Sequence, residues 1–244
     1  MLLCIDCGNT RLKWGLHDGK QWLKQAARPL AELHDLSQEI SGLPMASKAI
    51  ACSVAGKQAL RAVESAVDAL GLPLTWVASQ AAQCGVTNCY TDPAQLGADR
   101  WAALIGARHL CQGACLVVNA GTATTVDVLD RNGFFQGGLI LPGIDLMRSS
   151  LARNTAQLPL VDGEYRPLPR NTADAIVSGA LQATAGAIAR MFAHAAADAG
   201  ATCLVTGGAA ASLLPLLEVT WHTVDYLVLD GLVRIAGEDG HRHL

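Results

Sequence analysis

MLLCIDCGNTRLKWGL, residues 1–16, is the stretch from which the fold can be read. Residues 2–5 and 12–16 read as strands, and Asp6, Gly8, Asn9 and Thr10 interrupt them with an acid, a glycine and two small polar groups. Gly8 lets backbone N–H groups approach a ligand, and Asn9 and Thr10 add side-chain donors, so the turn suits phosphate. An aspartate at position 6 is placed to hold Mg²⁺, directly or through water.

The pattern returns at residues 115–135, CLVVNAGTATTVDVLDRNGFF, where an apolar strand runs through a small polar turn into a second strand and the Asn132-Gly133 hairpin signal follows. Aligned on the glycine, Asp6-Cys7-Gly8-Asn9-Thr10 matches Asn119-Ala120-Gly121-Thr122-Ala123. This implies an internal duplication with halves 1–112 and 113–244, the two turns facing each other across a cleft that holds a phosphate chain. A G-x-x-x-x-G-K-[ST] motif is absent, and no G-x-G-x-x-G follows a strand and opens a helix, so P-loop and dinucleotide-fold readings lack their signatures.

With 244 residues and 51% hydrophobic content the chain can bury the cores of two moderate domains. A net charge of −3 without a basic run gives no support for a nucleic-acid partner. No span is read as approaching the roughly 20 apolar residues that cross a bilayer, so no membrane association is expected. The eight cysteines lack metal-ligand spacing, which favours free thiols in a reducing cytoplasm. Cys4 and Cys7 form C-x-x-C, but residues three apart on a strand point to opposite faces, so a redox pair is not expected there. The histidines are dispersed, and His241 and His243 fall in a tail expected to fray.

Along the first half, Asp18-Gly19 reads as a hairpin turn, residues 31–40 as helix, 48–54 as strand, 57–70 as helix and 72–77 as strand. A loop then passes Tyr90, and Asp92-Pro93 reads as a helix opening before a helix over 97–111. In the second half, strands are expected at 115–119, 124–130, 134–140 and 202–205, with helical patterns beyond the last. Pro142-Gly143 breaks the chain before a helix at 146–151, and a polar connection over 157–171 precedes an Ala-rich helix over 173–199. That helix is either a dimer contact or an ordinary core helix.

Gly97-Ala98-Asp99-Arg100 puts a carboxylate and a guanidinium in the first turn of a helix, about 100° apart around its axis. They are therefore free to do separate jobs: an acid to take or orient a hydroxyl proton, and a fork to clamp an anion. The alternative is an acid that favours the helix dipole and a solvated arginine. Thr122 is aligned to reach phosphate, whereas of Thr124 and Thr125 on the outgoing strand at least one is structural. Thr206-Gly207-Gly208-Ala209 suits close approach of a nucleotide or, equally, a tight strand-to-helix turn.

These blocks together resemble the type III pantothenate kinases of the acetate and sugar kinase, Hsp70 and actin superfamily. The likeness runs through DCGNTRLKWGL at 6–16, Tyr90, GADR at 97–100, AGTATTVD at 120–127, GGLILPGIDLMRSSL at 137–151, NTADAIVSG at 171–179 and VTGGAA at 205–210. It implies an α/β fold of two actin-like, ribonuclease H-like halves, each a mixed sheet flanked by helices, and ATP-dependent phosphorylation of pantothenate in a cytoplasmic homodimer. It also implies that Asp6, Cys7, Gly8, Asn9, Thr10, Arg11, Leu12 and Lys13 hold ATP phosphate and Mg²⁺, with Thr122 as a further phosphate contact. Asp99 is implied as general base, and Tyr90, Gly97, Ala98, Asp99, Arg100 and Thr172 as pantothenate contacts, Thr172 coming from the partner subunit. One departure stands out. Where many relatives carry an acid for a monovalent cation, this chain has Asn119, so weakened or altered K⁺ or NH₄⁺ dependence is expected, with Asp127 as a nearby substitute acid. A phosphohydrolase of the same superfamily and a non-catalytic regulatory relative are the competing readings.

Overall fold

All six residues of the first strand, β1 (Leu2–Cys7), are buried, so it runs through the middle of a layer. The computed structural model describes residues 1–41, 46–155, 158, 160 and 162–239. His241 and His243 lie outside the described residues, as do 157, 159 and 161 of the polar connection. After β1 come β2 (Arg11–His17), β3 (Trp22–Pro29), α1 (Leu36–Ser41), β4 (Lys48–Ser53), α2 (Lys57–Ala69) and β5 (Leu74–Trp76). A small hairpin, β6 (Ala82–Gln83) and β7 (Val86–Asn88), precedes α3 (Ala98–Leu110). The chain continues through β8 (Cys115–Ala120), β9 (Ala123–Leu129), β10 (Phe134–Pro142), α4 (Ile144–Asn154), α5 (Thr172–Ala195), β11 (Thr202–Thr206), α6 (Ala210–Leu213), β12 (Trp221–Thr223) and α7 (Leu227–Asp239).

Two compact units result, one of Met1–Leu110 with the segment from Tyr226 onward, the other Cys111–Asp225. In the first unit the strands lie in the order β3-β2-β1-β4-β5, with β1 antiparallel to β2 and parallel to β4. In the second the corresponding order is β10-β9-β8-β11-β12, with β8 antiparallel to β9 and parallel to β11. The same order and the same mixture of directions in both units is the structural form of the repeat between the two glycine turns.

Each sheet is covered by amphipathic helices. On α2, Ala59, Val63 and Val67 recur every four residues and are buried against Leu3, Ile5, Leu12 and Trp14 of the first sheet. On α5, Val177, Leu181 and Ile188 join Leu116, Val118, Val126 and Val205 of the second. At 24 residues and a mean hydropathy of 1.2, α5 is by length and composition apolar enough to cross a membrane, contrary to the sequence reading. Its large apolar residues Ile176, Val177, Leu181 and Ile188 are spaced among alanines, glycines and polar residues rather than run together, and one stripe of the helix packs on the sheet.

The last helix lies in the first unit, whereas the division at 112/113 put it in the second. The reason is a close crossing of α3 and α7. A methyl group added at Gly231 would sit 1.8 Å from the Ala102 carbonyl oxygen, and one at Gly106 would sit 2.5 Å from that of Leu227. The two backbones therefore touch, and only glycine permits it. Trp22 Nε1 on β3 also donates to Asp230 Oδ1 at 2.9 Å, and Lys48 Nζ to the Ala236 carbonyl at 3.3 Å.

Local differences from the sequence reading follow from short-range geometry. Residues 31–40 split into a 3₁₀ turn, interrupted at Glu32, followed by α1. The loop before Tyr90 contains the β6–β7 hairpin, whose turn places Cys84 at φ 48° and Gly85 at φ 75°. Asp92-Pro93 opens a 3₁₀ turn, Pro93–Gln95, with the Asp92 carboxylate accepting from the Ala94 N–H at 3.1 Å, before α3 starts. Beyond β11, where only helix was read, β12 adds a short parallel edge strand.

Candidate active site

In the first unit the β1 register does the positioning. Asp6 faces Lys13 on antiparallel β2 and Cys52 on parallel β4. Its carboxylate is 8% exposed and accepts a weak hydrogen bond from Cys52 Sγ at 3.8 Å. Burial raises the Asp6 pKa to about 6, with the Asp99 charge adding to the rise and Lys13 and the Cys52 bond opposing it. Asp6 and Asp99, distant in sequence, thus share one electrostatic environment.

The turn after β1 is held by the Gly8 N–H, which donates to the Arg11 carbonyl at 3.1 Å, and by Leu30 N–H donating to the Thr10 carbonyl at 2.9 Å. Asn9, Thr10 and Arg11 are exposed, while Cys7 and Leu12 are core. Cys7 and Leu12 therefore shape the turn through packing, and their backbone is what a ligand would meet. Cys7 is anchored further by Val54 N–H and Ser53 Oγ, which donate to its carbonyl at 3.2 and 3.3 Å.

Asp99 lies in the first turn of α3, where its Oδ1 accepts from the Arg100 N–H at 2.8 Å. Burial raises its pKa, and the bond and charge of Arg100 work against the rise. Gly97 makes room for it: an added methyl would come within 2.7 Å of Asp99 Oδ1. Arg100 points elsewhere. Its guanidinium is in a residue only 5% exposed, donates to the Tyr90 hydroxyl at 3.1 Å, and lies 5.8 Å from the Tyr90 ring centre. The separate directions expected of neighbouring helical residues are thus realised.

Tyr90 has a support that sequence reading missed. Asn88 is buried; its Oδ1 accepts from the Tyr90 N–H at 3.0 Å, and its Nδ2 donates to Ser79 Oγ at 3.0 Å and the Pro93 carbonyl at 3.1 Å. Cys52 was missed as well, because only the β1–β4 register sets it beside Asp6.

In the second unit Asn119 sits at the equivalent place, opposite Thr125 on β9 and beside Thr206 on β11. The following turn closes with Gly121 N–H on the Ala123 carbonyl at 3.1 Å, and Thr122 is exposed. Two glycines from later in the chain pack against it. Gly143 N–H donates to the Thr122 carbonyl at 2.9 Å, and a methyl there would lie 2.2 Å from the Gly121 oxygen. Gly207, at φ +102°, would place one 2.4 Å from the Ala120 oxygen. Gly143 and Gly207 are therefore packing requirements of the second turn, whereas a side chain at Gly208 would meet nothing within 4 Å. Thr124 is fully buried and its Oγ1 has no partner among the described residues, while Thr125 and Asp127 are also buried, two apart on the strand and hence on one face. Thr206 donates to the Asp225 carbonyl at 3.3 Å.

Thr172 is exposed and opens α5, after Asn171 caps the helix by accepting from the Asp174 N–H at 2.9 Å. It lines a groove of about 880 Å³ between α4 and α5 with Met147, Leu151, Asn171 and Ile176. Thus Asp6, Lys13 and Asp99 come together in the first unit, Arg100 pairs with Tyr90, and Asn119 and Thr122 share the turn of the second.

Residues 2–194 match the model of the family described as type III pantothenate kinase. A type III pantothenate kinase of Aromatoleum aromaticum is 53% identical over 239 residues, covering 98% of this chain and 99% of that one. Among solved structures, a candidate Baf family transcriptional activator from Campylobacter jejuni is 19% identical with a TM-score of 0.64, covering 98% of this chain and all of that one. A candidate 2-dehydro-3-deoxygalactonokinase from Sinorhizobium meliloti is 14% identical with a TM-score of 0.59, covering 98% and 99%. At these identities the two structures speak to the fold alone, and the kinase likeness agrees with the paired mixed sheets.

Proposed function

The chain belongs to the type III pantothenate kinases, which phosphorylate pantothenate with ATP in coenzyme A biosynthesis, and from that premise we propose how its residues divide the reaction. The observation that carries the reading is the pairing of buried Asp6 with half-buried Asp99 in one electrostatic environment of the first unit. Asp99 takes the proton of the pantothenate hydroxyl as its oxygen bonds the γ-phosphorus and ADP departs. Burial strengthens it as a base, and the Arg100 N–H opposes that shift by favouring the carboxylate. Asp6 holds Mg²⁺: a carboxylate buried against one thiol donor and one lysine gains most from a cation, which supplies charge neutralisation to the phosphates. The backbone of Cys7, Gly8, Arg11 and Leu12, with Asn9, Thr10, Lys13 and, from the second turn, Thr122, contacts phosphate. Tyr90, Gly97, Ala98 and Arg100 receive pantothenate, the Arg100 fork meeting its carboxylate.

The functional unit is a homodimer in which Thr172 of one subunit completes the pantothenate site of the other. The α4–α5 groove supports this, as does exposed Leu151 in its lining. A mass of a single chain in sedimentation velocity would exclude it. The eight free thiols fit a cytoplasmic setting.

Asn119 offers a carbonyl oxygen and no charge, so monovalent cation dependence is weak. One assay checks both the reaction and this detail: ATP and Mg²⁺ with and without pantothenate, in sodium, potassium or ammonium buffers. ADP and 4'-phosphopantothenate are expected only when pantothenate is present, at similar rates in all three buffers. Phosphate release without pantothenate would favour the phosphohydrolase reading, and strong saturable potassium activation would refute the role given to Asn119.

A further inference from the structure

The chain from β6 to Tyr90 is tied to α3 at two consecutive residues of that helix. Trp101, fully buried, donates from Nε1 to Oε1 of buried Gln83 at 3.2 Å, which clips the β6–β7 hairpin to the helix. Arg100, one residue earlier, donates from Nη1 to the Tyr90 hydroxyl at 3.1 Å. Between these two ties, at the last residue of β7, stands buried Asn88. Its backbone N–H donates to the Ala81 carbonyl at 2.9 Å, which fixes it to the start of the hairpin. Its side-chain amide then joins three points of the chain, Oδ1 accepting from the Tyr90 N–H and Nδ2 donating to Ser79 Oγ and the Pro93 carbonyl. Only asparagine offers an acceptor and two donors on so short a stem. Tyr90 lies in neither strand nor helix, so no regular ladder holds it.

We propose that Asn88 is a positioning residue for the acceptor substrate: it fixes Tyr90, whose hydroxyl holds the buried Arg100 guanidinium in line with the pantothenate carboxylate. This role rests on Tyr90 and Arg100 being pantothenate contacts. The side-chain bonds of Asn88 all go to protein groups, so it acts through Tyr90 and not on the substrate itself. A guanidinium that has lost its alignment still attracts a carboxylate, but it no longer meets it with two parallel N–H bonds. None of the Asn88 bonds reaches the turn after β1 or Asp99, so the expected loss is confined to pantothenate binding.

Steady-state kinetics of the full-length protein test this in Asn88→Ala, Tyr90→Phe and the double variant. Asn88→Ala is expected to raise the KM for pantothenate about tenfold while kcat and the KM for ATP stay within about twofold, the pattern of lost ground-state binding. Tyr90→Phe removes the hydroxyl that Arg100 meets and is expected to raise the same KM. Because Asn88 acts through that hydroxyl, adding Asn88→Ala to Tyr90→Phe should raise it by no more than about twofold further. Asn88→Asp keeps the acceptor for the Tyr90 N–H and gives up both donations. It should move the pantothenate KM in the same direction, and it supplies the same comparison if the alanine variant does not fold. The proposal is overturned if the Asn88 variants leave that KM unchanged, if they raise the KM for ATP as much, or if their effect multiplies with that of Tyr90→Phe. A rise in Tyr90→Phe alone would remove the role of Asn88 and leave Tyr90 as a pantothenate contact. No rise in either Tyr90→Phe or Arg100→Lys would remove the contacts on which the proposal rests, and the proposal with them.

Discussion

An Asp99→Asn enzyme is expected to keep its fold and its affinity for pantothenate while kcat falls by about 10²–10⁴-fold, the usual worth of a positioned general base. Asparagine has the same shape, and its side-chain oxygen still accepts the Arg100 N–H that Asp99 accepts at 2.8 Å. Removing the negative charge also removes a contribution that raises Asp6, so magnesium binding has no electrostatic reason to weaken through Asp6 titration. What is lost is a site for the hydroxyl proton. Steady-state kinetics separate the possibilities: a rise in KM with kcat intact would make Asp99 a binding residue rather than the base.

Asp6→Asn is expected to have two opposed effects, loss of Mg²⁺-ATP turnover and a gain in stability of the unliganded protein. The sign follows from linkage. The Asp6 pKa rises on folding from 3.8 to about 6, so the folded chain holds this proton more tightly than the unfolded chain. The associated stability is fully present below the unfolded value and is lost as pH rises through about 6, after which the fold carries a buried charge. At about 1.4 kcal/mol per pKa unit the penalty at neutral pH is on the order of 3 kcal/mol. Asparagine removes it. Denaturant titrations should therefore show the variant's advantage growing between pH 4 and pH 7, while wild type recovers the difference on adding Mg²⁺-ATP. A variant that is less stable than wild type at pH 7 would mean that Asp6 is already well compensated without a cation.

Much of this arrangement was legible in the chain. The two glycine turns, their flanking strands and the duplication they imply could be read because hydrophobic alternation and turn chemistry are local. GADR could be read because a helix start fixes the directions of its first side chains. The neighbours that tune the site were another matter. Cys52 meets Asp6 only through the parallel β1–β4 register, and Asn88 supports Tyr90 only because the chain from Ser79 to Pro93 folds around it. The β6–β7 hairpin was hidden because its turn puts Cys84, a residue with no preference for positive φ, in the left-handed region. The return of α7 to the first unit depends on Gly106 and Gly231 meeting opposing carbonyls, a pairing across the length of the chain that no window of sequence displays.

The division of labour between Asp6 and Asp99 is tested most directly by single-turnover kinetics as a function of pH. Enzyme saturated with Mg²⁺-ATP and pantothenate should form phosphopantothenate at a rate that rises with pH through one ionisation above the ordinary aspartate range, because burial raises Asp99. In Asp99→Asn that step in the profile should disappear along with most of the rate. A variant that kept the wild-type profile and speed would contradict the account.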